Sequence, residues 1–203
     1  MDSERYQWRG EDDPSRVDTA YVRFRNSGLR AHGSSVTQQY TLSWTLDVGD
    51  GWVTNHLRVR SLGKGWSRSL DLRRGGDAAW RATVTQTGAI QRWADPGLDD
   101  DTDLSDALDC DLGLCPVTNV MPIRRLDLHR RDRDEEQLTA AWVDVPSLQV
   151  RRERQHYGSH DRTGKRTVTY ANEDRSFSAD LSVDHDGMVV DYPGLAWRFY
   201  ADA

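Results

Sequence analysis

Residues 36–48 read V-T-Q-Q-Y-T-L-S-W-T-L-D-V, and their period is two. Val36, Tyr40, Leu42, Trp44, Leu46 and Val48 recur at even positions, broken only by Gln38. Thr37, Gln39, Thr41, Ser43, Thr45 and Asp47 fill the odd ones. Side chains of an extended chain point alternately to its two faces, so the pattern predicts one long strand with a dry face and a wet face. Asp50-Gly51 follows as a hairpin signal, because glycine adopts the positive φ that such a turn requires.

Working outward, the same period recurs. Residues 52–62 place Val53, Leu57 and Val59 on one side, and Gly63-Lys64-Gly65 turns the chain. Trp66, Leu70 and Leu72 form the next dry face; Gly75-Gly76 ends it, and Trp80, Ala82 and Val84 begin another. Residues 138–145 and 148–157 flank Pro146, which belongs at a bend or an edge because it donates no ladder hydrogen bond. Residues 166–172, the alternation Phe177, Ala179, Leu181, Val183, and residues 188–192 after Asp186-Gly187 close the series. The expectation is a mainly β fold with little helix, a meander of roughly nine or ten antiparallel strands. A sheet of that length curls or closes to manage its edges, here into a half-open barrel.

The chain has 203 residues and no internal repeat or flexible linker, so a single domain over 1–203 is expected. Eight Trp and seven Tyr argue against disorder although 30% of residues are charged. The net charge of −6 argues against a nucleic-acid partner, since a phosphate backbone needs a basic surface. Residues 1–10 hold no apolar core of a secretory signal, and no stretch approaches the roughly 20 apolar residues of a membrane span. Cys110 and Cys115 are too few for a disulfide scaffold. A reduced, cytoplasmic protein is the simplest reading.

Several motifs fail on inspection. Asp99, Asp101 and Asp103 match the first positions of a calcium loop, but Leu104 stands where Gly is needed and Cys110 where Glu is needed. A solvated acidic loop is the better reading, with residues 103–110 forming one or two helical turns. His156 and His160 are four apart, yet Gly158 points to a hairpin tip. No nucleophile elbow, phosphate loop or dinucleotide fingerprint is present. No metal or cofactor is expected.

Residues 108–126, L-D-C-D-L-G-L-C-P-V-T-N-V-M-P-I-R-R-L, carry the chemistry. Asp109 and Asp111 share one face of an extended chain. Thr118 and Asn119 fit a turn. Arg124 and Arg125 would oppose each other in a strand, with at most one facing inward. An inward Arg opposite Asp109 or Asp111 is either a buried ion pair that holds the fold or an anchor for a ligand's carboxylate or phosphate. The two readings stay open, with the ion pair ahead.

This segment, with W-V-D-V-P-S-L-Q at 142–149, Gln155 and Tyr157, and F-S-A-D-L-S-V-D-H-D-G-M-V-V-D-Y-P at 177–193, resembles the bacterial putative glycolipid-binding family. Thr118, Asn119, Met121, Pro122, Ile123, Arg124, Arg125 and Leu126 match its central motif. Val183, Asp184, Gly187, Val189, Tyr192 and Pro193 match a second. Cys115 and Val117 depart from it, where a small hydroxyl residue and an aromatic are expected. The resemblance, closest over 108–199, implies a curved sheet like that of the lipoprotein carriers LolA and LolB.

The leading expectation is therefore a protein that binds a small amphiphile, a lipid or glycolipid, on a concave face. Trp44, Trp52, Trp66 and Trp80 are candidate walls, although any one of them can simply fill the core. Asp109, Asp111, Thr118, Asn119, Arg124, Arg125, Gln155, Tyr157 and Tyr192 are candidates for the polar end. The alternatives are a cavity enzyme using Asp109 and Asp111 with an Arg on a sugar- or polyketide-like substrate, and an interaction module with a filled core.

Overall fold

The computed structural model describes residues 3–88, 93–99, 101–162 and 164–199. Seven strands come first, each antiparallel to the next: β1 (Glu4–Gly10), β2 (Val17–Phe24), β3 (Leu29–Val36), β4 (Tyr40–Val48), β5 (Thr54–Gly63), β6 (Trp66–Arg74) and β7 (Trp80–Thr87). The long connection holds two short strands, β8 (Gly97–Leu98) and β9 (Asp109–Leu112), and one helix, α1 (Val120–Arg125). A second antiparallel run follows: β10 (Arg133–Val143), β11 (Gln149–Arg162), β12 (Lys165–Asn172), β13 (Ser178–Val183), β14 (Val189–Tyr192) and β15 (Ala196–Arg198). β15 pairs with β1, which joins the two runs into one sheet.

The sheet is curled and not closed, a half-open barrel. β7 and β9 end the ladder path without pairing to each other among the described residues. The curl nevertheless brings the ends inward. The Thr54 amide of β5 donates to Leu108 O just before β9 (3.0 Å), and Cys110 N of β9 donates to Thr54 Oγ1 (2.9 Å). β8 pairs with β11 and lies under β7, where a Cβ on Gly97 would stand 2.9 Å from Val84 Cγ1. Gly97 also has φ +99°, so this close approach suits glycine alone.

The predicted alternation is present: Leu42, Trp44, Leu46 and Val48 are buried, while Thr41, Ser43 and Thr45 are exposed. What fills the concave side is the connection itself. Leu104, Ala107, Cys110, Leu112, Val117, Val120 and Met121 pack with the early strands, whereas Ile123 and Leu128 join a second cluster with Tyr157, Val168, Tyr170, Leu181, Val189 and Tyr192. The helix has only six residues, too short to hold itself, so this packing must hold it. Pro122 falls in its first turn, where the missing N–H costs nothing. The cysteines are unpaired. No helix among the described residues is long and apolar enough to cross a membrane.

Six expectations need correction. The 36–48 stretch is not one strand: Val36 ends β3 and the Thr37 hydroxyl caps a turn, accepting from Gln39 N and Tyr40 N, so β4 starts at Tyr40. Trp52 lies in a 3-10 turn over Asp50–Trp52 at φ 62°, with its amide donating to Ser27 O, and β5 begins two residues later. Residues 103–110 form turns and the start of β9 instead of helix, because Asp109 and Cys110 pair parallel with Ala140 and Ala141. Arg124 and Arg125 lie on α1, not on a strand, so neighbouring side chains need not oppose. His156 and His160 sit inside β11, whose ladder with β12 runs on to Arg162. Among the described residues fifteen strands replace nine or ten, partly because residues 4–36 supply three of them and partly because strands as short as two residues leave no periodic signal.

Candidate functional site

The site begins with β9, the parallel edge strand that runs down the inside of the curl. Asp109 and Asp111 are two residues apart and face the same way, yet they meet different partners. Asp109 is clasped by Arg125 in a two-pronged ion pair (2.5 and 2.6 Å), and Arg125 also donates to Trp52 O at 3.2 Å. Burial works against the Arg125 charge, but the hydrogen bonds and charge of Asp109 outweigh it and raise the guanidinium pKa. That pair is closed on itself.

Asp111 has no cationic partner among the described residues. Its Oδ1 accepts from Thr118 Oγ1 (2.7 Å) and its Oδ2 from Gln155 Nε2 (2.6 Å). The same Gln155 nitrogen makes a longer contact of 3.4 Å to Glu153 Oε2. Glu153, Gln155 and Tyr157 alternate along β11 and face the interior together. Behind them the Tyr157 hydroxyl donates to Asn119 Oδ1 at 2.9 Å. Asn119 precedes α1, and its side chain serves this bond instead of capping the helix.

In front of Asp111 opens a cleft of about 330 Å³. Trp142, Tyr170, Phe177 and Tyr192 supply aromatic lining, and Leu112, Leu114, Val145 and Leu195 supply aliphatic lining. Tyr170, Phe177 and Tyr192 form a mutual cluster with ring centroids 5.9–6.2 Å apart. Asp12, Asp111, Asn119 and Asp144 are its polar groups, and no Arg or Lys among the described residues lines it. On the far side of Trp142 lies a second hollow that Glu153 lines, where the Arg151 guanidinium stacks 4.7 Å from the Trp142 ring.

Electrostatics follow from this enclosure. Burial raises the Asp111 pKa, and the Thr118 and Gln155 hydrogen bonds only partly offset it. Burial, then the charge of Asp111, pushes Glu153 up to about 7. Burial keeps the Tyr157, Tyr170 and Tyr192 phenols neutral. The cleft therefore presents the Asp111 carboxylate beside flat aromatic rings, while Glu153 faces the neighbouring hollow.

The mouth is held by Arg16, which is fully buried. It donates to Leu114 O (2.9 Å), Leu195 O (2.7 Å) and Asp12 (2.6 Å), and pairs with Asp18. One guanidinium thus ties together three segments that frame the cleft.

Of the candidate residues, Asp111, Asn119 and Tyr192 line the cleft, and Thr118, Gln155 and Tyr157 stand directly behind it. Asp109 and Arg125 form the ion pair further back. Arg124 lies elsewhere, over the rings of Trp52 (4.8 Å) and Phe24 (5.5 Å), and donates to Asp186 O. The four tryptophans are not in this cleft. Trp44 and Trp52 belong to the early-strand core, Trp66 packs on Trp93 (4.9 Å), and Trp80 donates to Ala107 O at 3.1 Å. Sequence reasoning missed Glu153, Trp142, Tyr170, Phe177 and Arg16. A signal existed for Glu153, which is two residues before Gln155 and so shares its face; nothing local marks Arg16.

A curled, half-open sheet with an aromatic and acidic cleft against its internal connection defines the class of β scaffold to which the chain belongs. The chain belongs to the family described as Putative glycolipid-binding, whose sequence profile matches residues 5–198. Among solved structures it is similar to a DUF1089 family protein from Pseudomonas aeruginosa, with a TM-score of 0.66 and 25% identity, over 90% of this chain and 92% of that one. No curated protein matches it.

Proposed function

We propose that the protein binds a small amphiphile through a sugar head that lies in the cleft between Asp111 and the aromatic cluster. The observation that carries this reading is the composition of the cleft. Aromatic faces pack on the apolar face of a sugar ring, and carboxylates accept from its hydroxyls. A lining without Arg or Lys disfavours a phosphate head, which would sit among Asp12, Asp111 and Asp144 uncompensated. The void beside Trp8 and Trp44 in the early-strand interior measures only about 10 Å³. The lipid part therefore leaves along Leu112, Leu114, Val145 and Leu195 instead of threading the barrel. The half-open sheet supports a likeness to the carriers LolA and LolB, and the unpaired cysteines support a reducing, cytoplasmic location.

The test is native mass spectrometry of gently purified protein, followed by calorimetric titration with octyl glucoside and with dodecylphosphocholine. Saturable binding of the glucoside alone is expected, with Trp142→Ala weakening it tenfold or more, a loss of about 1.4 kcal/mol. No lipid adduct and no saturable binding of either amphiphile would overturn the reading.

A further inference from the structure

Along one face of β9 the chain treats two carboxylates differently. Asp109 receives its counter-charge from Arg125, a side chain of the protein itself. Asp111 receives only neutral donors, the Thr118 hydroxyl on Oδ1 and the Gln155 amide on Oδ2. A carboxylate offers about four acceptor positions, so each oxygen keeps room for a further donor. The rest of the cleft wall carries the same sign. Asp144 accepts from the Ser147 hydroxyl, again a neutral group, and Asp12 shares the single Arg16 guanidinium with Asp18.

Beside Asp111 stand the rings of the same cleft. Tyr170 and Tyr192 meet at 69°, and Phe177 tilts against them at 58° and 44°, so the three form a corner and not a stack. Burial raises the phenols of Tyr170 and Tyr192, and the charge of Asp111 raises them further, which puts the carboxylate within electrostatic reach of both rings. A ring face attracts a cation through its quadrupole, and a carboxylate attracts one through charge and hydrogen bonds. A sugar hydroxyl leaves that negative charge unanswered. A protonated primary amine answers it and brings three donors.

Resting on the sugar-binding reading, we propose that the head group is an amino sugar whose ammonium lies against Asp111, beside the corner formed by Tyr170, Phe177 and Tyr192. The ligand then supplies to Asp111 the counter-charge that Arg125 supplies to Asp109. The ion pair also relieves the cost of holding a buried carboxylate among neutral groups. Phosphocholine does not meet the requirement: its nitrogen has no N–H to donate, and its phosphate would enter an acidic wall. Glu153 takes no part, since it faces the hollow beyond Trp142, where Arg151 stacks on that ring.

The experiment titrates the full chain by calorimetry at neutral pH with octyl glucoside, octyl 2-amino-2-deoxyglucoside, octyl 6-amino-6-deoxyglucoside and the N-acetyl forms of the two amines. One amino glycoside is expected to bind on the order of tenfold tighter than octyl glucoside. Acetylation removes the charge and keeps the sugar, so it should abolish that gain. In Asp111→Asn the preference for the amine over the glucoside should disappear. The acetyl comparison uses the unaltered protein, so it decides the matter even if Asp111→Asn does not fold. Binding of octyl glucoside as tightly as either amine, or a preference for the amine that survives in Asp111→Asn, overturns the ammonium at Asp111 and leaves the sugar reading intact. Absence of saturable binding by all of these glycosides overturns both.

Discussion

At the scale of single residues, partner choice separates two aspartates that the sequence presents as equals. Asp109 and Asp111 share a strand face, but one meets a guanidinium and the other an amide and a hydroxyl. Removing either member of the Asp109–Arg125 pair strands a buried charge, so Asp109→Ala and Arg125→Ala are each expected to cost about 3–5 kcal/mol. The double variant Asp109→Ala/Arg125→Ala should cost far less than the sum of the two single losses. Urea unfolding of the three variants measures the cycle, and additive losses would show that the two side chains do not act as a pair. Glu153 behaves in the opposite sense. Its folded pKa of about 7 lies above the roughly 4.3 of a free glutamate. Between those pH values the folded state keeps a proton that the unfolded chain has released, so stability falls as pH rises through that window and then levels. After allowance for its contact with solvent the loss is on the order of 1–2 kcal/mol. Melting curves from pH 4 to 8 should show a shallower decline in Glu153→Gln than in the unaltered protein, and parallel curves would contradict the assignment.

At the scale of elements, the helix α1 is the clearest case of tertiary packing deciding local structure. Six residues with a proline among them make no helix in water. Inside the curl, Val120, Met121 and Ile123 are fully buried, and the backbone must satisfy its own polar groups there. Ile123→Ala is therefore expected to destabilise by about 2–5 kcal/mol, the range for emptying a buried aliphatic site, readable as a shift of the urea midpoint. A change below 1 kcal/mol would mean that the neighbouring Leu128 and Tyr157 close the gap. The acidic connection before it also finds a structural use: Asp106 pairs with Arg152 in a two-pronged contact and accepts from Thr139, pinning the loop to β10 and β11. The period of two located most of the strands, while the turn at Thr37 was invisible because a hydroxyl that caps a turn looks the same as one on a wet strand face.

At the scale of the whole molecule, the connection belongs to both hydrophobic clusters, and Trp8 of β1 donates to Val189 O of β14 at 3.0 Å. The two runs of strands should therefore unfold together. Far-ultraviolet circular dichroism and tryptophan fluorescence are expected to give coincident urea transitions, and separate midpoints would indicate two independent halves. By itself the amino-acid sequence determined the longer strands after Tyr40 with their wet and dry faces, because these follow from local alternation and residue type. Only the tertiary structure decided that the connection folds into the curl as a plug, that Arg125 neutralises Asp109, and that Glu153 comes beside Asp111. It also moved the tryptophans into scaffold positions and built the cleft from Trp142, Tyr170, Phe177 and Tyr192. The reason is physical: alternation tells a side chain which face it takes, but the partner it meets is set by how far the sheet curls, and that depends on every strand at once.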